Sequence, residues 1–211
     1  MDNNDDSNKL SVNVKVNIQN TINNIHTFED DEKYQKIVVE KISVLLSNIC
    51  EDNIKEHNDN NLIKPFLTSN PSISIKDYLE RLCKYNTINV STIILILIYI
   101  DRICNIYKFK LKYNNIHKLI LSSMAVAIKY NEDIFYSTII YSKLGGISNS
   151  EMIFLEHYFV ILINFKLFVK EELFKKYNDY FISFDNEEKK GENEEEDSSE
   201  KSNNNKIINY K

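Results

Sequence analysis

Glycine occurs three times and proline twice among the 211 residues of this chain, and that scarcity restricts the fold more than any other feature. The tight turns of β-sandwiches and barrels usually need glycine or proline, so turn-rich β folds are disfavoured. Neither GxGxxG nor GxxxxGK[ST] is present, which excludes the glycine-rich phosphate loops. The sequence therefore predicts an all-α protein whose turns and helix ends are formed by asparagine, serine and aspartate.

Helical periodicity begins near residue 28 and continues to about residue 184, which predicts one helical domain over 28–184. The segment 1–27 is rich in asparagine and aspartate and is predicted to be a disordered or weakly ordered arm. The segment 185–211 contains nine acidic residues and five lysines. Because so polar a segment cannot bury apolar surface, we expect a disordered acidic tail.

The charge and the apolar runs disfavour two classes of partner. The formal net charge of -5 gives no reason to expect nucleic-acid binding. The longest apolar run, Ile93 to Ile100, falls far short of the ~20 residues that span a bilayer. The N-terminus is polar and acidic, unlike a signal peptide. We therefore expect an intracellular protein of the cytoplasm, the nucleus or both, with no membrane partner.

No pattern of reactive residues predicts catalysis. Nucleophile elbows, HExxH and the kinase motifs HRD and DFG are all missing from the sequence. Cys50, Cys83 and Cys104 are widely spaced and form no ligand set with the four histidines. We therefore predict that the chain is not an enzyme, has no small-molecule substrate and binds neither a metal nor a cofactor.

Three charged residues lie on otherwise apolar helix faces. Asp101 follows the run IILILIYI, where it either belongs to a last polar turn with Arg102 or pairs with a base such as Arg81. Lys129 can be a cation favoured by the dipole of a helix C-terminus. Glu156 shares an apolar stripe and is either half-buried and paired or directed at a partner.

Two of the three glycines are adjacent. Gly145 and Gly146 are predicted to end one helix, since glycine supplies the left-handed residue of a C-cap. Ser148 and Glu151 then form a capping box that starts the next helix, on which Glu156 lies. A positive φ at either glycine would penalise a β-branched substitution.

The order of these motifs resembles the cyclin box of the P-type (U-type) cyclins, the small cyclins related to the yeast phosphate-signalling cyclin. The resemblance covers about residues 72–182. The segments that carry it are SISIKDYLERLCKY, LIYIDRICNIY, NNIHKLILSSMAVAIKYNED and YSKLGGISNSEMIFLEHYFVILINFKLFV.

The resemblance implies a single five-helix cyclin box over about 72–168, packed around a central third helix, with flanking N- and C-terminal helices. It also implies an activity: binding a cyclin-dependent protein kinase and activating it by packing on the αC helix of the kinase. By this resemblance we expect one box, where cell-cycle cyclins have two. A cyclin-fold adaptor that binds a transcription or signalling partner without activating a kinase is the alternative.

The resemblance assigns roles to particular residues. Lys129 of AIKYNED and Glu156 of FLEHYF match the lysine and glutamate that anchor the kinase. Asp101 of YIDR matches the internal acid of the family, whose usual arginine partner is replaced here by Ser72. The positions that match the apolar contacts to the αC helix are Tyr130, Val160, Phe165 and Leu167.

Overall fold

The computed structural model describes residues 28–57, 60–69, 71–86 and 88–181, so the predicted arm and acidic tail lie outside the described residues. Within these ranges the fold is all-α, as predicted, with no β-strand. The elements in chain order are α1 (Phe28–Asp52), a 3-10 helix (Asn61–Phe66), α2 (Ile75–Lys84), α3 (Val90–Tyr107), α4 (Ile116–Asn131), α5 (Thr138–Gly145), α6 (Asn149–Leu162) and α7, which is helical from 171 to the last described residue, 181.

Contacts divide the chain into two compact units between Lys36 and Ile37, within α1. In the first unit the described residues are the opening turns of α1, where Glu32 and Lys36 form an ion pair of 2.9 Å. The second unit contains the rest of α1 and all the later helices. Every site discussed below lies within this second unit.

The centre of the second unit is α4, which packs against α2, α3, α5, α6 and the 3-10 helix. From Ile116 to Ile128 every side chain except that of Lys118 is buried. Small residues on this helix allow neighbouring backbones to approach closely. The hydroxyl of Ser123, for example, donates to the carbonyl of Ile96 on α3 at 2.9 Å. The sequence SSMAVAIKY correctly predicted a central helix.

The apolar character of α3 follows from its burial. Residues 92–100 are all buried, which explains why apolar side chains surround the helix there. By length and composition alone, α3 is long enough and apolar enough to cross a membrane. Its packing against α4 accounts for the same composition, because a core helix needs no polar face.

Serine side chains cap the N-termini of two helices, α2 and α6. The Oγ of Ser74 accepts a hydrogen bond from the amide of Asp77 at 3.0 Å, and that of Ser148 accepts from the amide of Glu151 at 3.1 Å. Each bond satisfies one of the free amides at a helix N-terminus. The carboxylate of Glu151 pairs with Lys118 at 2.8 Å, so only the serine half of the predicted capping box is observed.

The two adjacent glycines are needed for different reasons. Gly146 has φ of +70° and ends α5, as predicted. The prediction of a positive φ at Gly145 was wrong, since Gly146 is the one glycine with positive φ in the described chain. A Cβ at Gly145 would instead overlap Cδ2 of Leu121, which is fully buried on α4. Gly145 therefore permits close packing of α5 on α4.

Candidate functional site

Lys129 and Glu156 form an ion pair between the last turn of α4 and the middle of α6. The Nζ of Lys129 lies 2.6 Å from Oε1 and 2.7 Å from Oε2 of Glu156. The side chains are 25% and 17% exposed, so each charge is largely removed from water. Of the two interpretations of Glu156, the free chain shows the half-buried and paired one.

The hydrogen-bonding capacity of this pair differs between its two members. An ammonium has three donors, and Lys129 uses them on Glu156 and on the hydroxyl of Thr138, 3.2 Å away. Each carboxylate oxygen of Glu156 accepts one bond and retains a further lone pair. A partner's donor can therefore bind Glu156 with the pair intact, whereas a partner's acceptor must replace an existing bond of Lys129.

A buried aromatic ring supports the pair from below. The Nζ of Lys129 lies 6.0 Å from the ring centroid of Tyr141, at the edge of cation–π range. Burial raises the pKa of Tyr141, and the negative charge of Glu156 acts in the same direction, although the amide of Tyr136 opposes it. Tyr141 therefore remains a neutral phenol beneath the charged pair.

The other positions matched by the resemblance lie on α4, on α6 and in the segment that follows α6. Tyr130 follows Lys129 and is 52% exposed, and Val160 lies one turn beyond Glu156 and is half-buried. Phe165, in the turn after α6, is 73% exposed, and its amide donates to the carbonyl of Val160 at 3.1 Å. Leu167 is half-buried two residues later.

Tyr99 of α3 connects two of these positions. Its hydroxyl donates to the carbonyl of Leu167 at 2.8 Å. Burial raises the pKa of Tyr99 to about 12, and neighbouring Tyr130 acts in the same direction. Tyr99 thus connects α3 directly to the segment that contains Leu167.

Exposed apolar side chains are abundant between residues 130 and 168. Soluble surfaces seldom carry many large apolar groups together unless they bind a partner. The large apolar side chains that are exposed in this part of the chain are Tyr130, Ile134, Phe135, Tyr136, Ile139, Ile140, Ile153, Phe154, Ile161, Phe165 and Phe168.

Asp101 has neutral partners in the structure. Its Oδ2 accepts hydrogen bonds from Asn105 and from the hydroxyl of Tyr177 on α7, each at 2.9 Å. The pairing with Arg81 is not formed between these two described residues, and the guanidinium of Arg81 lies 5.0 Å above the ring of Tyr78 instead. The last-turn interpretation was wrong as well, since α3 continues to Tyr107.

Three residues of this region were missed at the level of sequence. Thr138 accepts from Lys129, and Tyr99 and Arg102 bind the segment that follows α6. The motif YIDR contains Tyr99 and Arg102, but nothing in the motif indicates that either side chain binds a backbone carbonyl of a distant segment. Thr138 lies in the first turn of a short helix, where no sequence pattern signals a contact with Lys129.

The cysteines show no sign of reactivity. All three are free thiols, and burial raises the pKa of each to about 12. Among the residues that the structure describes, no group of three or more histidine, cysteine or acidic side chains is arranged to hold a metal ion.

Comparison with known sequences decides the family. The Cyclin family profile matches residues 1–167. The chain belongs to the cyclin family. It is 31% identical to PHO85 cyclin-7 of Saccharomyces cerevisiae over 190 residues, which cover 78% of this chain and 65% of that protein. It is also 33% identical to Cyclin-U4-2 of Arabidopsis thaliana over 168 residues, 77% of this chain and 76% of that one.

A third relative is again a PHO85-type cyclin by name. PHO85 cyclin-like protein psl1 of Schizosaccharomyces pombe is 32% identical over 180 residues, 75% of this chain and 74% of that protein. The predicted resemblance to P-type and U-type cyclins is confirmed. The match spans less than two thirds of some relatives, including PHO85 cyclin-7 at 65% and Cyclin-U4-1 of Arabidopsis thaliana at 56%.

Proposed function

We propose that this cyclin is an intracellular regulatory subunit that binds and activates a cyclin-dependent protein kinase. The observation that carries the proposal is the half-buried Lys129–Glu156 pair, together with the exposed apolar residues Tyr130, which follows Lys129, and Phe165, in the turn that ends α6. Relatives named as PHO85 cyclins support a kinase as the partner. The chain would contribute no catalytic group of its own.

The proposed mechanism is a shift in the conformational equilibrium of the kinase. A kinase is inactive while its αC helix is displaced, because the Lys–Glu pair that positions ATP is not formed. A ligand shifts such an equilibrium only by its difference in affinity for the two states. The packed surface of α4 and α6 would bind the inward αC helix better than the displaced one.

The two kinds of contact would have different tasks. Val160, Phe165 and Leu167 would supply most of the apolar area, as the anchors of an interface usually do. The charged pair would fix the register, with Glu156 accepting from kinase amides and Lys129 donating to a kinase carbonyl. Loss of one member of a desolvated pair at an interface costs about 2–5 kcal/mol of binding free energy.

The test begins with the tagged full chain and mass spectrometry of the proteins that co-purify with it. We expect a cyclin-dependent kinase, which is then made recombinantly and assayed for affinity and for phosphate transfer. Lys129→Ala and Glu156→Ala should each weaken binding at least tenfold, because each removes a charged group that would bind the kinase backbone and leaves that backbone group buried and unpaired in the interface.

The matched controls are Lys84→Ala and Glu80→Ala on α2, where both side chains are exposed. Circular dichroism shows whether any variant loses its helices. Normal kinase affinity in both Lys129→Ala and Glu156→Ala would refute the assignment of this site. Kinase binding without any gain in phosphate transfer would favour the adaptor function.

A further inference from the structure

One turn of α3 binds three consecutive carbonyl groups of the segment that follows α6. The hydroxyl of Tyr99 donates to the carbonyl of Leu167 at 2.8 Å. The guanidinium of Arg102 donates to the carbonyl of Lys166, and to that of Phe168 at 3.4 Å. Tyr99 and Arg102 are three residues apart, so they lie on one face of the helix.

The two residues just before these carbonyl groups have a strained backbone conformation. Asn164 and Phe165 have φ of +54° and +56°, in the left-handed region. Asparagine tolerates that region, but phenylalanine does so rarely. Such residues persist only where the surrounding structure holds them. The contacts from Tyr99 and Arg102 begin at the residue that follows Phe165.

Backbone contacts leave the side chains of the segment free to face outward. Phe165 and Phe168 are 73% and 70% exposed, and Leu167 is half-buried between them. We define residues 165–168 as the presented strip. An exposed pair of phenylalanines costs solvation free energy in the free protein, and such groups are typical of a surface that binds a partner.

We propose that Tyr99 and Arg102 are positioning residues that hold the presented strip in its binding conformation, and that Phe168 extends the kinase-binding surface beyond Phe165 and Leu167. This inference rests on the proposed function. The apparent affinity of a protein falls with the fraction of molecules in the competent conformation, so holding the strip beforehand strengthens binding. The YIDR turn would thereby set the affinity for the kinase without touching it.

The experiment compares the wild-type chain with Tyr99→Phe, Arg102→Met and the double variant. Tyr99→Phe removes only a hydroxyl, and Arg102→Met keeps an aliphatic stem. Hydrogen exchange by mass spectrometry reports on amides 164–167, which donate hydrogen bonds to carbonyl groups of residues 160–165. We expect exchange there to rise by about tenfold in the double variant, while exchange in α4 stays unchanged.

Kinase affinity is measured with the recombinant kinase recovered in the pull-down. The double variant should bind about tenfold more weakly. Phe168→Ala should weaken binding without raising exchange at 164–167, because it removes a contact and not a support. Lys84→Met, which removes one exposed charge from α2, is the control and should change neither quantity.

Unchanged exchange at 164–167 in the double variant would overturn the positioning role. Raised exchange with normal kinase affinity would overturn the role of the strip in binding. Failure of the proposed function can be told apart from failure of this inference. If the proposed site is wrong, Lys129→Ala leaves kinase binding unaffected. The exchange measurements need no kinase, so they still decide whether Tyr99 and Arg102 hold the presented strip. A wild-type chain that binds no kinase would overturn the Phe168 contact.

Discussion

The ends of α5 and α6 solve the same backbone problem with different residues. In each, an amide reaches back five residues: Ile147 donates to Ser142 at 3.0 Å, and Phe165 donates to Val160 at 3.1 Å. The residue before that amide is left-handed in both, Gly146 at one end and Asn164 at the other. Glycine and asparagine are the residue types that most often adopt the left-handed conformation at the C-terminus of a helix.

The two ends differ at the next residue. After Gly146 the chain leaves the left-handed region, whereas after Asn164 it stays there for Phe165, which is 73% exposed. Glycine would relieve the strain at position 165, but it would display no side chain. The end of α5 therefore allows close packing on α4, whereas the end of α6 exposes an aromatic ring.

The largest loss of stability is expected from a substitution at Gly145, where the need for glycine comes from packing and not from backbone strain. Gly145→Ala would place a methyl group against the buried Cδ2 of Leu121, and overpacking of this kind costs about 1–3 kcal/mol of unfolding free energy. Urea denaturation measures the loss. In a double-mutant cycle with Leu121→Ala, the space vacated on α4 should accommodate the methyl group, so the two changes should compensate in part. Strict additivity would show that the contact with Leu121 is not the reason for glycine.

An intermediate loss of stability is expected at Gly146. A Cβ there would have no atom within 4 Å, so the cost comes from the backbone conformation alone. Gly146→Ala should cost about 1 kcal/mol, because φ of +70° is unfavourable for a residue with a Cβ. Gly146→Asn is the matched control, since Asn164 shows that this chain already uses asparagine in the same position of the turn. It should cost less than Gly146→Ala in the same denaturation assay. Equal losses would contradict a backbone origin.

Much of this arrangement could be predicted from the sequence because helical periodicity and cap residues act locally. The central helix followed from the small residues of SSMAVAIKY, and Ser148 followed from its place before an apolar run. The resemblance supplied Lys129 and Glu156 as a site. The structure adds that they pair with each other at 2.6 Å in the free chain, an arrangement that the residues alone had left open.

What could not be predicted depends on contacts between distant parts of the chain. Asp101 binds Tyr177, 76 residues away, and Arg102 binds Lys166 and Phe168 through backbone carbonyls that carry no sequence signal. The need for glycine at 145 comes from Leu121 on another helix. Each of these facts arises when helices meet, whereas periodicity reports only which face of a helix is apolar.

The smallest effect on stability is expected at Phe165, with the opposite sign from Gly146. Phe165→Gly relieves about 1–2 kcal/mol of left-handed strain and loses little buried area, while the added freedom of the unfolded chain opposes the gain by about 0.5–1 kcal/mol. Urea denaturation should therefore show unchanged or slightly higher stability. Kinase affinity should nevertheless fall, because the ring is lost. A large loss of stability would mean that Phe165 supports the fold, and the contrast between the two helix ends would then be one of packing alone.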